Sequence, residues 1–246
     1  MELRSFASNV YSLSGEDGIL AEIMSRLGLA ATAGPRWCVE FGAWDGVYLS
    51  NTFNLVRNFD WRAVYIEGDQ GRFAELLRLA GKYPTIEPIC AFVSSRPESI
   101  NSLDQLLQGR GVPLDFDLIS IDIDSDDLDV WESVRVFTPK VVVIEVDSSL
   151  GPDTITRFSE SGSTNSFAAA LELGRAKGYT PVCHTGNVIF VRSDLVGLVL
   201  AAPQAGSTST VAFDERWMKA PSLTHKARAW LRYRAYLVRK RAGYLA

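Results

Sequence analysis

Val39-Glu40-Phe41-Gly42-Ala43-Trp44-Asp45-Gly46 is a strand that ends beside an acid and turns on two glycines. Trp37–Phe41 is apolar enough to be a short buried strand, and a helix is expected to start near Ser50. Gly42 and Gly46 let the backbone turn tightly and approach a ligand closely. In an open α/β sheet such a ligand lies outside the carboxyl ends of the strands. A dinucleotide turn would read Gly-x-Gly-x-x-Gly and hold pyrophosphate at the following helix N-terminus. Here only two glycines are present, and Glu40 and Asp45 add negative charge. That charge repels phosphate and suits a cationic or amine-bearing ligand.

On either side of this turn, apolar strands alternate with helices. Apolar spacing predicts a helix over Ile19–Leu27, stopped by Gly28. Strands are expected at Arg62–Ile66, Thr85–Val93, Asp117–Ile123 and Val141–Val146. Helices are expected at Gly71–Ala80, Ile100–Gln108, Asp127–Val136 and Ser166–Lys177. Such alternation implies a parallel sheet covered on both faces. Tyr179–His184 and Asn187–Arg192, joined by a Thr-Gly turn, read as an antiparallel edge hairpin.

The second strand supplies Glu67, 21 residues after Gly46, near the ~20 expected of an acid that binds ribose hydroxyls. Phe92, ending the third strand, could flank an adenine or simply pack in the core. S-adenosylmethionine, with its amine and sulfonium, fits these acids better than NAD does.

Strand four ends Asp122-Ile123-Asp124 and strand five ends Glu145-Val146-Asp147, each pair sharing a face. Converging carboxylates cannot all ionise unpaired. They could hold a divalent metal such as magnesium through Asp124, Glu145 and Asp147. They could bind the cofactor amine or acceptor hydroxyls, or act as a base. They could also be solvated strand ends. Asp122 is assigned to the cofactor side, Asp124 and Glu145 to the acceptor. Asp126, Asp127 and Asp129 are explained by the helix dipole.

Together, Ser14-Gly15-Glu16-Asp17-Gly18-Ile19-Leu20, the Val39–Gly46 turn with Ser50-Asn51-Thr52, Ile121-Asp122-Ile123-Asp124 before Val130-Trp131, and Val142-Val143-Ile144-Glu145-Val146 resemble the FkbM-like branch of class I methyltransferases. The resemblance covers roughly residues 11–192. It implies a Rossmann-like, seven-stranded, mostly parallel sheet with the hairpin at its edge. It also implies O-methylation of sugars or secondary metabolites from S-adenosylmethionine. Ser14, Ala43, Ser50 and Gly68 then join Glu40, Gly42, Asp45, Gly46, Glu67, Phe92 and Asp122 as cofactor contacts. The chain departs from the family at Ser125, where Gly is usual, and at Asp147, where Asn is common.

His184, at the hairpin tip, is a candidate base for the acceptor hydroxyl, or a loop histidine in water. His225 is read as structural. Ser148–Ser166, rich in Ser, Thr and Gly, is either a lid or a linker.

With 47% hydrophobic and 22% charged residues, a large core is available and global disorder is disfavoured. The expected division is a methyltransferase domain over 1–210 and a basic extension over 211–246. That extension carries nine basic and two acidic residues, leaving the rest strongly acidic. Its Ser222–Arg241 segment reads as a basic amphipathic helix. It could touch anionic membrane, hold a phosphorylated glycan carrier, pack against a second subunit as in a homodimer, or dock on its own domain. An acidic body argues against nucleic acid. No signal-peptide pattern opens the chain and three cysteines cannot all pair, so a reducing cytoplasm is expected. The expected activity is O-methylation of a sugar or glycan hydroxyl. The alternatives are methylation of a small metabolite and a non-catalytic cofactor-binding module.

Overall fold

The computed structural model describes residues 2–29, 34–159, 161–200, 213–218 and 236. Five parallel strands form its centre: β1 (Trp37–Phe41), β2 (Arg62–Glu67), β3 (Ile86–Cys90), β4 (Leu118–Ile121) and β5 (Val141–Glu145). The pair β6 (Tyr179–His184) and β7 (Asn187–Arg192) completes a seven-stranded sheet in the order β3-β2-β1-β4-β5-β7-β6. Both β5–β7 and β6–β7 pair antiparallel. The strand order reverses between β1 and β4, where the crevice of an open α/β sheet lies.

β1 is buried along its whole length, as a central parallel strand must be. Its alternate side chains feed two cores. Val39 and Phe41 pack with Ile66, Ile121, Trp131 and Phe190 on one face, and Cys38 packs with Ile19, Phe53 and Leu118 on the other. Each such fully buried side chain is worth roughly 1.5–3 kcal/mol. Helix α1 (Glu16–Arg26) precedes β1, and α2 (Phe53–Phe59), α3 (Gln70–Ala80), α4 (Leu103–Leu107), α5 (Asp127–Ser133) and α6 (Phe167–Ala176) link the strands. A short α7 (Val196–Val199) follows β7.

Several elements are shorter than expected, among them β4, α5, β3 and α4. β3 stops at Cys90, and Ala91–Val93 leave the sheet, so Phe92 projects with 74% of its surface exposed. α4 starts at Leu103, because Ser102 holds an extended conformation ahead of it. The expected basic helix at Ser222–Arg241 falls outside the described residues, Tyr236 excepted. No helix among the described residues is long and apolar enough to cross a membrane.

Candidate functional site

The strand ends open into a cleft of about 1310 Å³. Pockets for one drug-sized ligand run to ~300–1,000 Å³, so this one has room for two small molecules.

Gly42 adopts φ +74°, and a Cβ there would lie 1.6 Å from the Asp122 carbonyl oxygen. The glycine therefore lets the ends of β1 and β4 close up at the cleft floor. Gly46, at φ +80°, serves packing instead: a Cβ would meet Leu79, Leu76 and Tyr65, and Gly46 does not line the cleft. Trp44 takes the left-handed conformation at φ +52°, which costs roughly 1–2 kcal/mol for a side chain of this kind. Its N–H is held by Glu67 Oε2 at 2.8 Å. Glu67 Oε1 accepts a second backbone N–H, from Asp69, at 2.8 Å. Each oxygen retains a lone pair, and Glu67 lines the cleft. The Phe92 ring sits over Gly68, where a Cβ would come within 2.3 Å of it.

Glu40 lines the cleft but is largely spoken for. It accepts from Ser50 Oγ at 2.6 Å, from the Asn51 N–H at 3.2 Å and from the Thr52 hydroxyl. Burial raises its pKa, and these donors pull it back. Besides Gly46, three more expected cofactor contacts do not line the cleft. Asp45 caps its own turn, accepting the N–H groups of Val47 and Tyr48 at 3.0 and 2.8 Å and the Tyr236 hydroxyl. Ser50 is buried beneath Glu40. Ala43 is buried too, its N–H bound to the Ile66 carbonyl. Ser14 and Gly68 do line the cleft.

The acids at β4 and β5 meet differently from the expected set. Ile121 pairs with Ile144, which sets Asp122 opposite Glu145. Oxygens of Asp122, Asp124 and Glu145 lie within 4.8 Å of one another. Burial, then the charge of Glu145, drive the Asp122 pKa well up. Burial likewise pushes Glu145 up to about 7, against a hydrogen bond from Asp122. The pair thus keeps a shared proton into the neutral range. Asp147, expected as a metal ligand, is not in this group. Its oxygens accept from the Ser149 N–H and hydroxyl and from Thr164 Oγ1 at 2.8 Å, so it ties down the loop after β5. Those donors lower its pKa against the effect of burial.

Asp124 is held at φ +58° by Asp127, whose carboxylate accepts the N–H groups of Ile123 and Ser125 at 2.8 and 3.1 Å. The described part of the segment after β5 folds back on that strand: Asp147 N–H binds the Asn165 carbonyl, and Asn165 Nδ2 binds the Ser125 carbonyl. Phe158, Thr164 and Asn165 from it line the cleft.

His184 is fully buried, not at the cleft surface. It packs between Phe167 and Phe213, both at 4.8 Å. Its Nδ1 accepts the Asp214 N–H at 3.0 Å, so in the neutral ring Nε2 carries the proton and donates to Ser148 Oγ at 2.8 Å. Burial lowers its pKa to about 4. A ring with both nitrogens engaged in this way cannot take an acceptor proton.

Sequence reading placed Ser14 at the site but missed how the N-terminal segment is held there as a wall. Asp17 Oδ2 gathers the N–H groups of Val10, Tyr11 and Ser12. Glu16 Oε2 binds the Ser14 N–H, while Glu16 Oε1 accepts from Thr185 Oγ1 and Asn187 Nδ2. Partners some 170 positions apart leave no local signal. Arg216, reached after the sheet is complete, was missed as well; it lines the cleft.

No family model matches the sequence, and no curated protein matches it. Among solved structures the fold is similar to the CurJ carbon methyltransferase, with a TM-score of 0.50 and 11% identity over 75% of this chain and 57% of that one. The CMeT domain of citrinin polyketide synthase gives 0.49 and 13%, over 75% of this chain and 55% of that one. TrmK of M. capricolum, solved with S-adenosyl-homocysteine, gives 0.43 and 10%, over 69% and 67%. The chain spans little more than half the length of the first two. The likeness is one of fold: an open, Rossmann-like α/β sheet.

Proposed function

We propose that this chain is an S-adenosylmethionine-dependent methyltransferase of the FkbM-like kind, acting on a hydroxyl of a sugar or glycan. The observation that carries the proposal is the Asp122–Glu145 pair on the cleft floor, beside the Gly42 turn. The residues fit the cofactor. Phe92 offers an exposed face to a purine, Glu67 keeps acceptor capacity for ribose hydroxyls, and the acids of the floor favour an amine and a sulfonium. When bound, the cofactor supplies an electrophilic methyl group.

The chain's own residues do the rest. Glu145, poised near neutrality, accepts the proton of the attacking hydroxyl. Asp122 donates a hydrogen bond to Glu145 and fixes its orientation. Asp127 holds the loop that presents Asp124. Phe158, Thr164 and Asn165, from the loop after β5, wall the acceptor side from water.

Asp122, Asp124 and Glu145 are also close enough to ligate one divalent cation, which would replace the shared proton. Transfer of labelled methyl from S-adenosylmethionine to a panel of mono- and oligosaccharides tests the proposal. Methylated sugar is the expected product, and turnover confined to non-sugar acceptors would move the reading to a metabolite methyltransferase.

A further inference from the structure

Among the described residues that line the cleft, the basic ones are Arg72 and Arg216. Arg72 lies over the Trp44 ring at 3.6 Å, on the side of β1 and β2. Arg216 comes from the other side. It follows Phe213 and Asp214, which pack against His184 beneath Ser148.

The guanidinium of Arg216 is fixed by a forked pair. Nε reaches Asp214 Oδ1 at 2.9 Å and Nη2 reaches Oδ2 at 2.6 Å. Asp214 is itself buried, with its N–H locked on His184 Nδ1 and Arg4 at 3.6 Å. Arg4 and Arg216 both approach this one carboxylate, and Arg216 extends from it into a mostly acidic cleft. The Arg216 side chain is 81% exposed, and the fork through Nε and Nη2 leaves Nη1 outside the pair. A guanidinium held on one edge by a buried carboxylate is preorganised to offer its other edge to an oxyanion.

We propose that Arg216, braced by Asp214 and the His184 stack, recognises an oxyanion on the acceptor, a phosphate monoester or a carboxylate. The inference rests on the methyltransferase reading and names the class of acceptor within it. Placement separates this role from one on the cofactor. Arg216 is grouped with Ser148 and the β6–β7 turn, not with the ends of β1 and β2 that carry Gly42, Glu67 and Phe92. The acceptor then has two poles, a hydroxyl at the Asp122–Glu145 pair and an oxyanion at Arg216.

The test uses the full chain saturated with S-adenosylhomocysteine and titrated with glucose 6-phosphate, glucuronate and glucose. The phosphate and carboxylate arms tell the two oxyanions apart. The expected result is that at least one anionic sugar binds about tenfold or more tighter than glucose, and that Arg216→Gln abolishes the difference while Arg216→Lys restores part of it. Equal affinity for all three sugars, no binding of either anion, or a preference that survives Arg216→Gln overturns the proposal. So does a loss of S-adenosylhomocysteine affinity in Arg216→Gln matching the loss for the sugar, which would put the arginine on the cofactor. Failure of the wild-type chain to bind S-adenosylhomocysteine at all is a different outcome, and it would sink the methyltransferase reading first.

Discussion

Asp122 and Glu145 end neighbouring parallel strands in register, and their carboxyl groups share a hydrogen bond that two ionised acids could not make. The bond requires a proton, and burial supplies the reason the proton stays. Glu145 is pushed up to about 7, where a base is matched to neutral conditions.

The pH profile of methyl transfer follows from that value. The basic form of Glu145 is lost as pH falls below about 7, so kcat/KM should drop up to tenfold per pH unit below it and level off above. Glu145→Gln should lower kcat by about 10²–10⁴-fold and remove this limb while cofactor affinity is retained. A variant with the wild-type profile would show that the proton goes elsewhere.

Chelation separates a shared proton from a bound cation. With the proton, exhaustive EDTA treatment followed by gel filtration leaves the rate unchanged. A loss of activity restored by magnesium would instead assign Asp122, Asp124 and Glu145 as ligands.

His184 predicts a stability signature in place of a catalytic one. Its folded pKa, about 4, lies below the ordinary 6.5. Between these values the unfolded chain binds the extra proton, so this histidine's contribution to stability falls as pH drops from 6.5 towards 4, by up to ~1.4 kcal/mol per unit. Glu145 works in the opposite sense, losing stability as pH rises from 4.5 to about 7, and cancels when variants are compared. Urea denaturation across pH 4–7 should therefore show a flatter acid slope in His184→Gln. An unaltered slope would mean that the ring is solvated.

Gly42→Ala and Gly111→Ala form a matched pair, since both glycines have φ near +74°. At Gly111 nothing lies within 4 Å, and only left-handed strain of roughly 1–2 kcal/mol is expected. At Gly42 the new methyl meets the Asp122 carbonyl, and a loss on the order of 4 kcal/mol or failure to fold is expected. Equal thermal shifts in the two variants would show that β1 and β4 can separate at little cost.

The fold was legible because its signals are local. Apolar runs such as Val141–Val146 and the Gly42 turn need no distant partner to be read. Much of the site was also legible, since strand ends carry Glu40, Glu67, Phe92, Asp122 and Glu145 to one rim. What could not be read is which acid faces a ligand and which faces its own backbone. Asp45 and Asp147 look like Asp124 in sequence, yet each caps a turn or loop. His184 looked exposed at a hairpin tip until Phe213 and Asp214, some thirty positions on, covered it. Arg216 acquires its meaning from that same packing.

The most direct test of the account is calorimetric titration of the full chain with S-adenosylhomocysteine, alongside NADH and the Phe92→Ala variant. The account predicts one site for S-adenosylhomocysteine, none for NADH, and an affinity weakened by roughly two- to tenfold when the Phe92 ring is removed. Binding of NADH in preference to S-adenosylhomocysteine, or no binding of either, would contradict it.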